Sequence, residues 1–257
     1  MTRIILCGCC GKMGHFITQL VSERTDCEIV AGVDLNVNAQ TASYPAYTSI
    51  DQVTEAADVI IDFSHPSLLT PILHYAAEKG GIPAVLCTTG YTAEQTAELT
   101  KASETQPIFY SRNMSLGINL MLELAKKAAK VLGDQFDIEI VEKHHNKKLD
   151  APSGTAKLIL RQIDPEGLYA PVYGRSGRIG ARGREIGVHA VRGGTAAGEP
   201  SLRFFGRMEE LELRHRADSR EIFAQGALRA AAFARKAEPG LYDMEDVLFG
   251  GDGWTRS

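Results

Sequence analysis

The sequence predicts an α/β protein in two domains and a returning tail. A doubly wound parallel sheet is expected over residues 1–113, an α+β domain on a mixed sheet over 114–221, and a tail over 222–257 that goes back to the first domain. Three observations carry this. Short, continuously apolar runs alternate with amphipathic stretches as far as Tyr110, as parallel strands buried on both faces and joined by helices do. A glycine-rich turn closes the first of those runs. Beyond Met114 the runs alternate apolar with polar residues, the pattern of half-buried strands.

In the first domain the expected strands are Ile4–Leu6, Ile29–Val33, Val59–Asp62, Ala84–Leu86 and Ile108–Tyr110. The expected helices are Met13–Glu23, Leu68–Lys79 and Ala93–Ser103, and right-handed crossovers then give the doubly wound arrangement. Asn119–Leu132 reads as a helix with Leu120, Leu124, Ala128 and Val131 as its inward stripe and Gly133 as its stop. A strand, Phe136–Val141, and a helix, Gly154–Ile163, follow. The Gly- and Arg-rich stretch Gly174–Arg184 reads as a mobile loop. Three strand-like runs come next, Ile186–Val191, Ser201–Phe205 and Glu209–Arg214. Ile222–Lys236 is an alanine-rich helix, and Leu241–Leu248 is expected to pack on the first domain.

A chain of 257 residues with 44% hydrophobic content can bury a large core, and it sits where one domain commonly becomes two. The net charge of −4 gives no whole-chain attraction to nucleic acid. The arginines at 175, 178, 182 and 184 either solubilise a loop or bind RNA, and no aromatic stacking platform interleaves with them. The five cysteines are an odd set without a paired framework, which favours a reducing compartment and a cytoplasmic location. Met1–Leu6 lacks the long apolar core of a signal peptide, and no stretch approaches a membrane span, so no membrane partner is expected.

The turn Gly8-Cys9-Cys10-Gly11-Lys12-Met13-Gly14 follows an apolar strand and opens a helix, the context of a dinucleotide fingerprint. Gly8 makes the tight turn, Gly11 lets backbone approach a pyrophosphate, and Gly14 allows close helix–strand packing. The other reading is a strand–turn–helix junction with chance glycines. Asp34, at the end of the second strand, suits the two ribose hydroxyls of an adenosine and repels a 2′-phosphate, which favours NADH over NADPH. NADPH stays possible if Lys12 or Arg3 reaches that phosphate. Two further turns, Asp62-Phe63-Ser64-His65-Pro66 and Cys87-Thr88-Thr89-Gly90, follow strands and are expected to line the nicotinamide side, with His65 either a ligand or a helix cap. Three thiols as close as Cys7, Cys9 and Cys10 do not easily surround one zinc, and no fourth ligand is evident nearby, so no metal is expected.

The second cluster is Glu142-Lys143-His144-His145-Asn146-Lys147-Lys148-Leu149-Asp150-Ala151-Pro152-Ser153-Gly154-Thr155-Ala156. It lies between a strand and a helix start. Two imidazoles and two ammonium groups beside unpaired helix N–H groups suit an anion and a proton transfer near neutral pH. The plainer reading is a solvated basic turn with Ser153 as an ordinary cap.

This run resembles the signature of the 4-hydroxy-tetrahydrodipicolinate reductase (dihydrodipicolinate reductase) family of lysine and diaminopimelate synthesis. The likeness extends over nearly the whole chain. Cys87-Thr88-Thr89-Gly90 resembles the family's nicotinamide loop, with Cys87 in place of a glycine. Ser111-Arg112-Asn113-Met114 resembles its crossover into the substrate domain, with Ser111 in place of an alanine. Pro200 and Ser201 stand where a His-Thr pair is usual. The resemblance implies His144 as proton donor or acceptor, Lys148 as a second donor, and His145, Gly154 and Thr155 as substrate contacts. It implies a cofactor site of Gly8, Gly11, Lys12, Met13, Gly14, Asp34, Phe63, Cys87, Thr88, Thr89, Gly90, Ser111, Asn113 and Met114. It also implies a Rossmann-type first domain, NADH or NADPH as cofactor, a cyclic dicarboxylate substrate, and a homotetramer. A dehydrogenase of another small carboxylic acid and a non-enzymatic NAD(H) sensor are the alternatives.

Overall fold

The computed structural model describes residues 1–37 and 43–250; residues 251–257 of the expected tail lie outside that range. The first stretch runs β1 (Thr2–Cys7), α1 (Lys12–Ser22), β2 (Cys27–Val33), β3 (Ala46–Tyr47), β4 (Val59–Asp62), α2 (Leu69–Glu78), β5 (Ala84–Leu86), α3 (Ala93–Ala102) and β6 (Pro107–Tyr110). The middle runs α4 (Leu116–Leu132), β7 (Asp137–His144), α5 (Gly154–Ile163), β8 (Ala170–Tyr173), β9 (Glu185–Arg192), β10 (Glu199–Phe205) and β11 (Glu210–Arg214). The chain closes with α6 (Glu221–Ala234), β12 (Gly240–Tyr242) and α7 (Met244–Phe249). It divides into two compact units, one of Met1–Leu116 with the segment from Arg220 onward, the other of Gly117–Ser219.

The first unit is a seven-stranded sheet in the order β12-β6-β5-β4-β1-β2-β3. Every pairing in it is parallel. Alternate residues of each strand point to opposite faces. Ile4, Leu6, Val59, Ile61, Val85 and Phe109 therefore meet α1 and the alanine-rich α6 on one side. Ile5, Ile60, Ala84, Leu86 and Ile108 meet residues of α2 and α3 on the other. The tail is held by an aromatic stack: the Phe233 ring lies edge-on to Phe109 at 6.5 Å and to Tyr242 at 5.3 Å. Strand order reverses between β1 and β4, and in sheets of this kind ligands bind in the crevice outside such a switch point.

The second unit is a five-stranded mixed sheet, β11-β10-β7-β9-β8, with β7–β9 and β8–β9 parallel and the β10 pairings antiparallel. The apolar face of this sheet (Ile138, Ile140, Ile186, Val188, Leu202, Phe204) packs with residues of α4 and α5. The inward row of α4 differs from the expected one. Leu120, Leu124 and Val131 are 42%, 40% and 75% exposed, whereas Ile118, Met121, Leu122 and Ala125 are buried. The helix is apolar over more than half its circumference, so two stripes at helical spacing compete, and the shape of the sheet selects the second.

The Gly- and Arg-rich loop is pinned rather than bare. Arg175 bonds Glu139 and Glu185, Arg182 pairs with Asp137, Glu139 and Glu185, and Arg184 bonds Asp134. The guanidinium groups at 175, 182 and 184 already face carboxylates, which weakens the RNA reading of this stretch. Among the described residues, no helix is long and apolar enough to cross a membrane.

Candidate active site

In the first unit the glycine turn sits beyond the C-terminal end of β1, at the switch point. Gly8 has φ +80°, and a Cβ there would lie 2.5 Å from the Phe63 carbonyl oxygen, so the turn is pressed against the loop after β4. A Cβ on Gly14 would come within 2.4 Å of the Gly8 and Cys9 carbonyl oxygens. Gly11 caps α1 without a side-chain bond, and no acidic residue stands in the first turn. That leaves the helix N-terminus suited to an anion. Asp34 accepts from the Cys10 N–H at 3.1 Å and from the Asn36 N–H at 3.0 Å, which aims its carboxylate across the turn. Arg3 is bonded to Asp58 at 2.8 Å through Nη2, which commits the guanidinium there and holds the Asp58 carboxyl down at about 2. Arg3 is therefore not free for a 2′-phosphate, whereas Lys12 is exposed at the start of α1.

The second and third turns are tied together by Asp62, to which the sequence assigned no role. Its buried carboxylate accepts from the Ser64 N–H at 3.0 Å, from the Ser64 hydroxyl, and from the Tyr91 hydroxyl at 3.3 Å. Burial pushes its pKa up against those bonds. The backbone after β5 then exposes Thr89 and Gly90, and Gly90 (φ +90°) faces open space. Thr88 and Cys87 are buried, Cys87 in the core, where burial pushes its thiol up. Met114 is likewise buried and packs its carbonyl against Gly226 of α6. Ser111 and Asn113 fold onto each other, Ser111 Oγ donating to the Asn113 carbonyl at 2.9 Å. His65 turns out to be a cap, its Nδ1 accepting from the Ser67 N–H at 3.2 Å.

In the second unit, Glu142 and His144 are two residues apart on β7 and so share a face. His144 Nδ1 lies 2.5 Å from Glu142 Oε2. A carboxylate only accepts, so Nδ1 carries a hydrogen and Nε2 is the nitrogen left to gain or lose a proton. Arg192, at the end of β9, grips Glu142 with two bonds of 2.9 and 2.8 Å, and the Ser153 N–H donates a further one at 3.0 Å. Glu142 is fully buried. Burial alone would raise its pKa, but the bonds from Arg192 and His144 outweigh that and hold it below the usual carboxylate range. Gly198 sits so close that a Cβ there would come 3.0 Å from His144 Nε2.

Around this dyad, Lys148 Nζ pairs with Asp150 at 2.7 Å. His145 Nδ1 is a buried atom with no hydrogen-bond partner among the described residues. Ser153 caps α5, accepting from the Ala156 N–H at 3.2 Å, and the helix opens with Gly154, whose absent side chain leaves open space, and Thr155. The Ala151–Pro152 bond before it is cis. Glu142 and Arg192 were missed in the sequence. The i, i+2 spacing of an acid and a histidine on a strand was a usable signal for the first; nothing local marks an arginine on another strand. The Pro200-Ser201 departure is absorbed into β10, where the Ser201 hydroxyl donates to Glu212 at 2.6 Å.

The sequence matches the family described as Dihydrodipicolinate reductase, N-terminus, over residues 2–114 and Dihydrodipicolinate reductase, C-terminus, over residues 117–248. It is 48% identical over 252 residues to a 4-hydroxy-tetrahydrodipicolinate reductase of Caldanaerobacter subterraneus subsp. tengcongensis, covering 96% of this chain and 98% of that one. It is 45% identical to the enzyme of that name from Clostridium tetani, covering 96% and 97%. Among solved structures it resembles a dipicolinate-bound dihydrodipicolinate reductase from Paenisporosarcina sp. TG-14, with a TM-score of 0.79 and 26% identity over 95% of this chain and 97% of that one. With a dinucleotide turn at the switch point and matches over both units, the chain belongs to the dihydrodipicolinate reductase family.

Proposed function

We infer that the protein is the reductase its family name describes: an oxidoreductase of lysine and diaminopimelate biosynthesis that reduces 4-hydroxy-tetrahydrodipicolinate to tetrahydrodipicolinate with loss of water. The observation that carries the chemistry is the buried Glu142–His144 pair clamped by Arg192 beside the start of α5. When bound, a nicotinamide cofactor supplies the hydride. The glycine turn, with its uncapped helix start, fits the pyrophosphate of such a group, and Phe63, Thr89 and Gly90 stand beyond the strand ends where its nicotinamide half belongs.

The part of this chain in the reaction is to hold a dicarboxylate and move a proton. Gly154 and Thr155 at the start of α5 seat one carboxylate, helped by the helix N-terminus. His145 offers its unpartnered Nδ1 to the substrate. Protonation of the enamine at C3 falls to His144 Nε2 or Lys148. Ionised Glu142 fixes the His144 tautomer and ring orientation, and Asp150 holds the Lys148 side chain. We assign NADH as the favoured cofactor on the strength of Asp34 and of the commitment of Arg3 to Asp58, with NADPH accepted through Lys12. A homotetramer and a cytoplasmic location complete the proposal; five free cysteines suit the latter.

The test follows oxidation of NADH and of NADPH with the product of condensing pyruvate and aspartate semialdehyde. Both should be oxidised, NADH with the higher kcat/KM. An unreactive enzyme, with cofactor bound, would sink the substrate assignment. In the same assay Asp34→Ala should lose more kcat/KM with NADH than with NADPH, and equal losses would remove the selectivity argument.

A further inference from the structure

We propose that Cys9, Cys10 and Asp34 form a binding site for a thiophilic divalent cation of the zinc class, and that this cation and the dinucleotide exclude one another. The expectation of no metal rested on the crowding of three thiols and on there being no fourth ligand beside them. The fold supplies one from the end of β2, because Asp34 reaches back across the glycine turn.

The two sulfurs lie 3.9 Å apart. Zinc–thiolate bonds of about 2.3 Å at a tetrahedral angle place two sulfurs roughly 3.8 Å apart, so the pair is already spaced for one ion. The ligand atoms of Cys9, Cys10 and Asp34 all lie within 4.8 Å of one another. The Cys10 N–H bond to Asp34 Oδ2 fixes the carboxylate against the thiols. A cavity of about 290 Å³ lined by Cys9, Cys10, His15, Thr18 and Tyr44 opens beside them and gives an entry path, leaving the fourth position for water. The positive end of α1 does not forbid the site. Two thiolates and a carboxylate around a divalent ion leave about one net negative charge, which that end favours.

Exclusion of the dinucleotide rests on the reading of Asp34 as the ribose ligand; cation binding does not. Coordination takes the carboxylate that the ribose hydroxyls need, and the ion stands in the turn over which the pyrophosphate passes.

The experiment titrates the reduced, metal-free full chain with cadmium as probe and follows thiolate-to-metal charge-transfer absorbance, with zinc as competitor. One ion per chain is expected. Cys10→Ser and Cys10→Ala should each weaken binding by at least about tenfold while their melting temperatures stay near that of the parent. Cys27→Ser should change nothing. Absence of a one-per-chain signal, or a signal that survives both Cys10 variants, overturns the site. NADH affinity should fall as cadmium is added to the parent chain but not to Cys10→Ser. Unchanged NADH affinity in the loaded parent overturns the exclusion. NADH affinity of Asp34→Ala under chelator then separates the two ideas: a loss there, with no cadmium signal in the parent chain, leaves the ribose reading standing and removes the cation site, and no loss removes the ribose reading.

Discussion

In the proposed reaction Glu142 acts through His144 and does not itself touch substrate. Its fully buried carboxylate receives Arg192, the Ser153 N–H and His144 at once. Removing Arg192 leaves a buried charge with too few partners, so Arg192→Ala should cost on the order of 3 kcal/mol of stability in a denaturant titration. Glu142→Gln keeps the shape but donates where the carboxylate accepted. It should lower kcat on the order of 100-fold, with NADH affinity retained and an altered pH–rate profile. A merely structural Glu142 would lower stability and leave that profile in place. Lys148→Ala should reduce kcat by a similar factor, about 100-fold or more, while cofactor affinity survives; near-normal turnover would assign the proton to His144 alone. Gly198→Ala tests the space at Nε2: its Cβ, 3.0 Å from that nitrogen, should lower kcat with little change in melting temperature.

At the next level up, one glycine decides how close α6 comes to the segment that follows β6. A Cβ on Gly226 would come 1.8 Å from the Met114 carbonyl oxygen, so α6 touches the crossover segment backbone to backbone. That contact cannot be relieved by turning a side chain. Gly226→Ala should therefore destabilise by about 2 kcal/mol or more, read as a lower urea midpoint, despite the higher helix propensity of alanine. The elements themselves were largely legible, because continuous apolar runs such as Val59–Asp62 and the capped helix at Ser153 announce themselves in the local pattern. Three short strands were not. Ala46–Tyr47, Ala170–Tyr173 and Gly240–Tyr242 are edge strands, set by the neighbour they pair with and too short to show a period. The phase of α4 was lost for a related reason: a helix apolar on both Leu120 and Met121 sides takes its orientation from the sheet. In the candidate site, the contiguous run from His144 to Thr155 was visible in the sequence as a cluster, and its individual roles came from the resemblance. Asp62, Arg192 and the approach of Asp34 to Cys10 could not be seen there, since each depends on strands brought together by the fold.

The whole chain answers acid through carboxylates that are ion-paired in the folded state. In the second unit Glu139 lies against Arg175, Arg182 and His189, across from Gly187, whose missing side chain gives it room. Burial would raise the Glu139 pKa, but Arg175, His189 and Arg182 bring it below its ordinary value, as Arg192 and His144 do for Glu142. In the first unit Arg3 takes Asp58 to about 2. All three have folded pKa values below their unfolded ones. Their stabilisation is thus complete above the ordinary carboxylate range, near 4 to 4.5, and is lost as pH falls through the folded values. For Asp58 the contribution is about 1 kcal/mol once the exposure of Arg3 is allowed for. Stability from chemical denaturation should accordingly fall steadily below about pH 4.5. Glu139→Gln should lower stability at neutral pH by about 2 kcal/mol and flatten part of the acid limb, because the variant has no proton to gain there. Asp58→Asn should flatten the limb between about pH 4, where an unfolded aspartate titrates, and about pH 2. An acid limb of unchanged slope in Glu139→Gln would mean that this carboxylate is not held ionised by its arginines.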